Sequence, residues 1–321
     1  MKRVIPVVMI CDDNFAMQTA VALTSMYVNK SKETEYCVHV IMSECSDESK
    51  AMVKAAEKPD FSVTIIEATS DKFANVKQKA HVSKSALHKF FICEMLPQYD
   101  KILYLDGDII VREDLWELYN TDISNAFFAA INHSLGIITG ERKHNGGVLL
   151  LNAIKMRENG MAQIMLKKRE ELGERKSMDQ ETFHMLLRDQ KLALLPKYNV
   201  MLDKIDYEKK YYPLADYNKF YGTSYHSRAE IIKTAGIVHF TGALKPWKYT
   251  FPKCADEWYG YYKICFGEKS KLQRKGRLDY LKECYKKNGM RGLYWLLKDI
   301  VLEFLGERFS YFPDKTHGEW N

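Results

Sequence analysis

An α/β fold with helices on both faces of a largely parallel sheet is predicted for this chain by two observations. Short apolar runs of strand length alternate with segments of helical periodicity through the first two-thirds of its 321 residues, as strand-helix-strand units do. The apolar runs are also nearly unbroken, as strands are when both faces are covered. In chain order, residues 4–10 read as the first strand, 15–28 as a helix and 36–42 as the second strand. A helix over 47–58 and a strand over 63–67 continue the alternation. Residues 84–96 read as a helix closed by Pro97, which disfavours helical geometry in the residue before it. Residues 101–105 form the next strand, and 126–131, 147–151 and 236–240 form three more.

Composition narrows the class. With 46% hydrophobic and 28% charged residues, the chain resembles an ordinary globular protein, and a formal charge of +6 is too modest to call for nucleic acid. Seven cysteines without a CxxC pair, several of them inside apolar runs, read as buried, reduced thiols of a cytoplasmic protein rather than a disulfide framework or zinc site. The apolar run that follows Met1-Lys2-Arg3 is cut by Asp12-Asp13, so it reads as a strand and not as a signal peptide. No stretch reaches the about 20 uninterrupted apolar residues that cross a bilayer.

Residues 1–265 are expected to form the main domain and 266–321 a helical appendage. The appendage is basic and aromatic: Lys269, Lys271, Arg274, Lys275 and Arg277 lead towards Leu293-Tyr294-Trp295-Leu296-Leu297. Two arrangements fit this pattern. The apolar positions can pack on the main domain, or they can rest on an anionic membrane surface and hold the protein peripherally at the inner face of a membrane.

In sheets of this kind ligands collect beyond the carboxyl ends of the strands. Three polar segments follow strands: Asp12-Asp13-Asn14, Asp106-Gly107-Asp108 and His239-Phe240-Thr241-Gly242. Residues two apart in extended chain share a face, so Asp106 and Asp108 present two carboxylates to one hard cation. Asp-Gly is also a common turn, and only its place after a buried strand raises it above that. His239 alone reads more readily as a satisfied structural histidine, but Gly242 and Lys245 beside it suit a phosphate group and reverse that preference. An imidazole added to two carboxylates favours Mn²⁺ somewhat over Mg²⁺.

Taken together, six segments resemble glycosyltransferase family 8, the group that includes bacterial lipopolysaccharide galactosyl- and glucosyltransferases and glycogenin. They are Val8-Met9-Ile10-Cys11-Asp12-Asp13-Asn14-Phe15, the strand ending in Asp106-Gly107-Asp108, Asn145-Gly146-Gly147 with the strand to Asn152, Asp179-Gln180, Leu195-Pro196-Lys197-Tyr198-Asn199, and His239 to Trp247. The resemblance covers residues 4–247 in order and spacing. It implies a GT-A fold, with a Rossmann-like nucleotide-binding mixed sheet, and a retaining, metal-dependent transfer of a hexose from a UDP-sugar to a glycan or glycolipid. By position, Asp106, Asp108 and His239 would hold the cation. Asp12 and Asn14 would meet the uracil edge, with Phe15 stacked on the ring and Ile10 and Gly107 beside it. Gly242 and Lys245 would contact the diphosphate, and Asn145, Gly146, Asp179 and Gln180 the transferred sugar.

Two positions depart from the family pattern. Lys89, before Phe90, stands where the family usually has arginine, replacing a two-pronged clamp by a point charge. His144 stands where an aromatic residue often precedes the asparagine. Gln180, an amide, is a poor nucleophile, which favours front-face attack by the acceptor hydroxyl over a covalent intermediate of the kind retaining glycosidases use. Asp179 then reads as a ligand of sugar hydroxyls. A cation and a diphosphate site would also serve a nucleotidyltransferase, a sugar-nucleotide hydrolase or a UDP-sugar-binding protein without turnover.

Overall fold

The protein is described from a computed structural model, which covers residues 2–69, 71–73, 76, 84–173, 179–207, 211–283 and 285–286. The first half supplies β1 (Arg3–Cys11), α1 (Ala16–Val28), β2 (Thr34–Ser43), α2 (Asp47–Lys54), β3 (Phe61–Ala68), α3 (Ile92–Met95), β4 (Lys101–Leu105), β5 (Ile109–Val111), α4 (Trp116–Tyr119), β6 (Phe128–Ala130), α5 (Gly136–Thr139) and β7 (Val148–Asn152). The second half supplies α6 (Ala153–Glu158), α7 (Met161–Leu172), α8 (Asp179–Leu187), β8 (Lys191–Ala193), β9 (Val200–Met201), α9 (Leu202–Tyr207), α10 (Leu214–Tyr221), α11 (Arg228–Lys233), β10 (Ile237–His239) and α12 (Ala255–Phe266).

Seven strands form the main sheet in the order β3-β2-β1-β4-β7-β6-β8. β3, β2, β1 and β4 are parallel neighbours, as the unbroken apolar runs predict. The sheet is nevertheless mixed, because β7 runs antiparallel to both β4 and β6. That reversal places Leu105 opposite Val148, so the segment leaving β4 and the loop entering β7 share one edge. The Asp106 amide donates to the Gly147 carbonyl at 2.8 Å across that junction.

The strand expected over 236–240 does not join this sheet. β10 lies in a second sheet of order β5-β10-β9, antiparallel to β5 and parallel to β9. Its register sets His239 opposite Ile109 and Met201, and the Phe240 amide donates to the Asp108 carbonyl at 2.9 Å. β5 and β9 are three and two residues long, too short for a periodic signal.

α1 is buried on nearly every side because it packs against α2, β5 and α12. Side chains on one face of the main sheet join α1 in one core, those on the other face join α3, α6, α7 and α8, and the small sheet packs with α9 to α12. The helix expected over 84–96 is instead a 3₁₀ helix, Lys84–Phe91, continued by α3. Leu87, His88, Lys89, Phe90 and Phe91 are all buried, so this stretch has no solvent face of the kind an amphipathic helix shows. α2 is shorter than the expected 47–58. It starts at the Ser46 cap, where the hydroxyl accepts from the Ser49 amide at 3.3 Å, and its end is followed by the Lys58–Phe61 turn.

The tail begins after α12. Residues 267–283 return to the main body, where Lys275 bridges Tyr249 and the Arg274 guanidinium lies 4.0 Å from the centre of the Tyr259 ring. The apolar positions expected to cover the domain or a membrane, Leu293 to Leu297, lie outside the described residues. Among the described residues no helix is long and apolar enough to cross a membrane.

Candidate active site

The two sheets bring the sequence-predicted cation ligands together. One ligand atom each from Asp106, Asp108 and His239 lies within 4.8 Å of the others. His239 Nε2 is 2.9 Å from Asp108 Oδ1 and 3.8 Å from Asp106 Oδ2. The Asp106 side chain is 31% exposed and Asp108 13%, so the cluster opens on the Asp106 side. Gly147 makes room for it: a Cβ there would stand 2.3 Å from His239 Cε1 and 2.8 Å from Asp106 Oδ2. Two carboxylates and an imidazole in a cradle that a methyl group would fill fit a divalent cation such as Mn²⁺ or Mg²⁺.

The charges in this cluster constrain one another. Burial works against charge on Asp108, but His239 and Lys245 outweigh it and hold the carboxyl well below the usual range. Burial likewise opposes a charged His239, yet the hydrogen-bonded Asp108 and the nearby Asp106 raise its pKa above 6.5. Lys245 is drawn in to Asp108 Oδ2 at 2.7 Å and also donates to the Phe240 carbonyl, so its expected diphosphate contact is here an ion pair with a cation ligand.

A second cluster adjoins the first. Lys89 Nζ is 2.6 Å from Asp179 Oδ2, 3.1 Å from the Gly146 carbonyl oxygen and 3.8 Å from Asp106 Oδ1, and it lies 4.3 Å from the centre of the Tyr104 ring. Burial disfavours its charge, but Asp179 and Asp106 dominate and its pKa is raised. The Tyr104 hydroxyl donates to Asp106 Oδ1 at 2.6 Å. Gln180 Oε1 accepts from the Gly146 amide at 3.0 Å, which seats the first turn of α8 against the loop before β7. The expected sugar-binding residues Lys89, Asn145, Gly146, Asp179 and Gln180 therefore converge beside the cation ligands.

The expected nucleotide end lies on the loop after β1. Asp12 Oδ1 accepts from the Asn14 amide at 3.0 Å, an Asx turn that leaves Asn14 exposed. Phe15 is half-buried and meets Trp247 edge-on at 6.0 Å. Ile10 is half-buried at the end of β1. Gly107 is pressed against α1, where a Cβ would come within 2.7 Å of Thr19 Oγ1. Gly242 has a φ of +77°, and a Cβ there would stand 2.9 Å from Asp203 Oδ2.

His144 is fully buried, its ring 4.9 Å from Phe128 and 6.1 Å from Phe183 between centroids. It thus occupies an aromatic packing position, and among the described residues neither ring nitrogen has a hydrogen-bond partner. Burial, then Lys191, pushes its pKa well below 6.5. The described cysteines are all free, though only Cys11 and Cys93 are buried; the other four are half-buried. Cys284 lies outside the described residues.

Asn199, Tyr104, Gly147 and Asp203 have no role predicted from the sequence. Asn199 was findable as a lone polar residue in the apolar run Tyr198 to Met201. The other three have no such signal, because their neighbours come from distant parts of the chain.

A seven-strand mixed sheet flanked by helices, with an Asp-x-Asp cluster after β4, is the GT-A fold. Residues 6–250 match the model of Glycosyl transferase family 8, and the chain belongs to that family. It is 22% identical over 278 residues to General stress protein A of Bacillus subtilis, covering 81% of this chain and 93% of that protein. It is 28% identical to Glycosyltransferase GlyA of Streptococcus pneumoniae, over 66% of this chain but 28% of that protein. In fold it is similar to the galactosyltransferase LgtC solved with donor and acceptor sugar analogues, at a TM-score of 0.67 and 22% identity over 81% of this chain and 96% of that one. The bifunctional glycosyltransferase WbbM gives a TM-score of 0.66 at 19% identity, over 82% of this chain and 50% of that one. Family membership implies a nucleotide-sugar donor and a glycan acceptor.

Proposed function

We propose that the chain is a retaining hexosyltransferase that moves galactose or glucose from a UDP-sugar to a saccharide or lipid-linked glycan. Asp106, Asp108 and His239 would hold one divalent cation, Mn²⁺ or Mg²⁺. The observation that carries the reading is the juxtaposition of these ligands with the Lys89–Asp179 pair, where Lys89 Nζ reaches both Asp179 and Asp106. It supports a cation that would meet a diphosphate beside polar groups suited to sugar hydroxyls. A galactosyltransferase with donor and acceptor analogues bound shares the fold, which supports the same division of the cleft.

In this reading Asp12 and Asn14 bind the uracil edge, Phe15 stacks on the ring, and Ile10 and Gly107 line the nucleotide. Gly242 and Lys245 face the diphosphate; Lys89, Asn145, Gly146 and Asp179 orient the sugar. The bound cation supplies Lewis-acid stabilisation of the charge that develops on the departing UDP. Lys245 adds an electrostatic clamp on the same charge. The acceptor oxygen bonds to the anomeric carbon on the face from which the phosphate oxygen departs, and its proton passes to that oxygen. Gln180, held by the Gly146 amide, steadies the cationic sugar through its amide dipole and forms no covalent bond.

Purified protein incubated with a panel of UDP-sugars, with and without Mn²⁺, tests the proposal by UDP release. The expected result is metal-dependent release confined to one or two sugars, accelerated by a glycan acceptor and abolished by Asp108→Asn. Release that no acceptor accelerates would identify a hydrolase instead, and UDP-sugar binding without release a binding protein.

A further inference from the structure

A chain of hydrogen bonds runs from the backbone of the loop entering β7 to the imidazole at the end of β10. The Gly147 amide is 2.9 Å from Asn145 Oδ1, Asn199 Nδ2 is 2.8 Å from that same oxygen, and Asn199 Oδ1 is 2.9 Å from His239 Nδ1. The first link fixes all the others. A backbone N–H only donates, so the Asn145 atom that meets it is the amide oxygen. The Asn199 atom that meets this oxygen must then be its NH₂ group, which leaves the Asn199 carbonyl oxygen facing His239. That oxygen only accepts, so Nδ1 of His239 carries a hydrogen.

We propose that Asn199 is a positioning residue that keeps a hydrogen on His239 Nδ1, so that the nitrogen left to ligate a cation is Nε2. Nε2 donates to Asp108 Oδ1 at 2.9 Å when no cation is bound, and frees its lone pair towards Asp106 and Asp108 when that hydrogen leaves. The inference rests on the cation reading above and deepens it. A ring free to hold its hydrogen on Nε2 would present N–H to the cation and lose that ligand, so orientation of the imidazole is a condition of binding. Asn199 is 1% exposed and His239 2%, which leaves no water to satisfy Nδ1 in place of the amide. The tertiary register explains why this residue does it: β9 runs parallel to β10 with Met201 opposite His239, and Asn199 enters β9 immediately before that pairing. Gly147 serves the same end, since its amide starts the chain and its missing side chain leaves room for the ring.

Mn²⁺ titration followed by the spectrum of the free ion tests the inference on wild-type protein, Asn199→Leu and Asn199→Asp. Leucine removes the acceptor and aspartate keeps it. Asn199→Leu should weaken Mn²⁺ binding about 10- to 100-fold, in line with loss of an outer hydrogen bond to a metal-bound histidine, while Asn199→Asp retains most of the affinity. Nitrogen-15 spectra of the wild-type protein loaded with diamagnetic Mg²⁺ give a readout independent of any variant: the His239 resonance, assigned by its loss in His239→Gln, should carry its proton on Nδ1. An Nε2–H signal there overturns the inference. So does unchanged Mn²⁺ affinity in Asn199→Leu, or an equal loss in both variants, and each of these leaves the cation reading standing. Failure of the wild-type protein to bind either ion overturns the cation reading, and the inference with it.

Discussion

Lys89 and Asp179 form an ion pair 2.6 Å long in which the lysine side chain is 5% and the aspartate 8% exposed. It joins the 3₁₀ helix before β4 to the start of α8, and it lies beside the cation ligands. A lysine at this place is a point charge where the family resemblance expects a fork, and the structure shows what it meets: one carboxylate directly, a second at 3.8 Å and a backbone carbonyl.

Removing one partner leaves the other charge buried. Lys89→Met should therefore destabilise the protein by about 3 kcal/mol, within the range for broken buried pairs. Urea unfolding of Lys89→Met, Asp179→Leu and the double variant checks this. Recovery of most of the loss in the double variant is the expected coupling, and strict additivity would mean the two side chains do not interact energetically.

His144 should make the protein acid-sensitive. Its folded pKa is depressed well below 6.5 by burial and Lys191, so the unfolded chain binds the proton first. The stabilising contribution of the neutral ring is complete above 6.5 and is lost as the pH falls below that value towards the folded pKa. Thermal melts over this acid range should show a shallower loss in His144→Phe, which keeps the ring between Phe128 and Phe183 and has no site to protonate.

Gly147 and Gly146 should respond differently to alanine although they are adjacent. At Gly147 the added carbon would come within 2.3 Å of His239 Cε1, whereas at Gly146 nothing lies closer than 3.5 Å. Gly147→Ala must push the imidazole aside and should abolish Mn²⁺ binding. Gly146→Ala should bind Mn²⁺ much as the wild type does. Isothermal titration of both variants separates the two, and equal affinities would refute the steric argument.

His239 and Asp108 give the metal-free protein a two-sided pH dependence. The His239 pKa is raised, so its contribution is fully present below 6.5 and is lost as the pH rises through the folded value. The Asp108 pKa is lowered, so its contribution is present above the ordinary value of 3.8 and is lost as the pH falls through the folded value. Added Mn²⁺ should stabilise the protein more as pH rises, because a metal-bound imidazole must give up its Nε2 proton. Melting temperatures with and without Mn²⁺ across the neutral range check the sign; a shift that shrinks with rising pH would contradict it.

Several parts of this protein were legible in its sequence. The parallel half of the main sheet follows from the unbroken apolar runs at β1 to β4, because burial on both faces demands them. Asp106 and Asp108 followed from their spacing after β4. Phosphate-type neighbours singled out His239, and the ordered segments identified the family.

Tertiary structure alone decided how these residues meet. β10 left the main sheet for a second one whose other strands are three and two residues long, and only its register beside β5 and β9 brings His239 to Asp108 and Asn199. The antiparallel turn of β7 aligned Gly147 with Asp106. Residues 84–91 wind as 3₁₀ helix with Lys89 turned inward to Asp179 and Asp106, partners that come from elsewhere in the chain. Local periodicity records which faces of an element are buried; it carries no record of the partner, and here the partners are up to 232 residues apart.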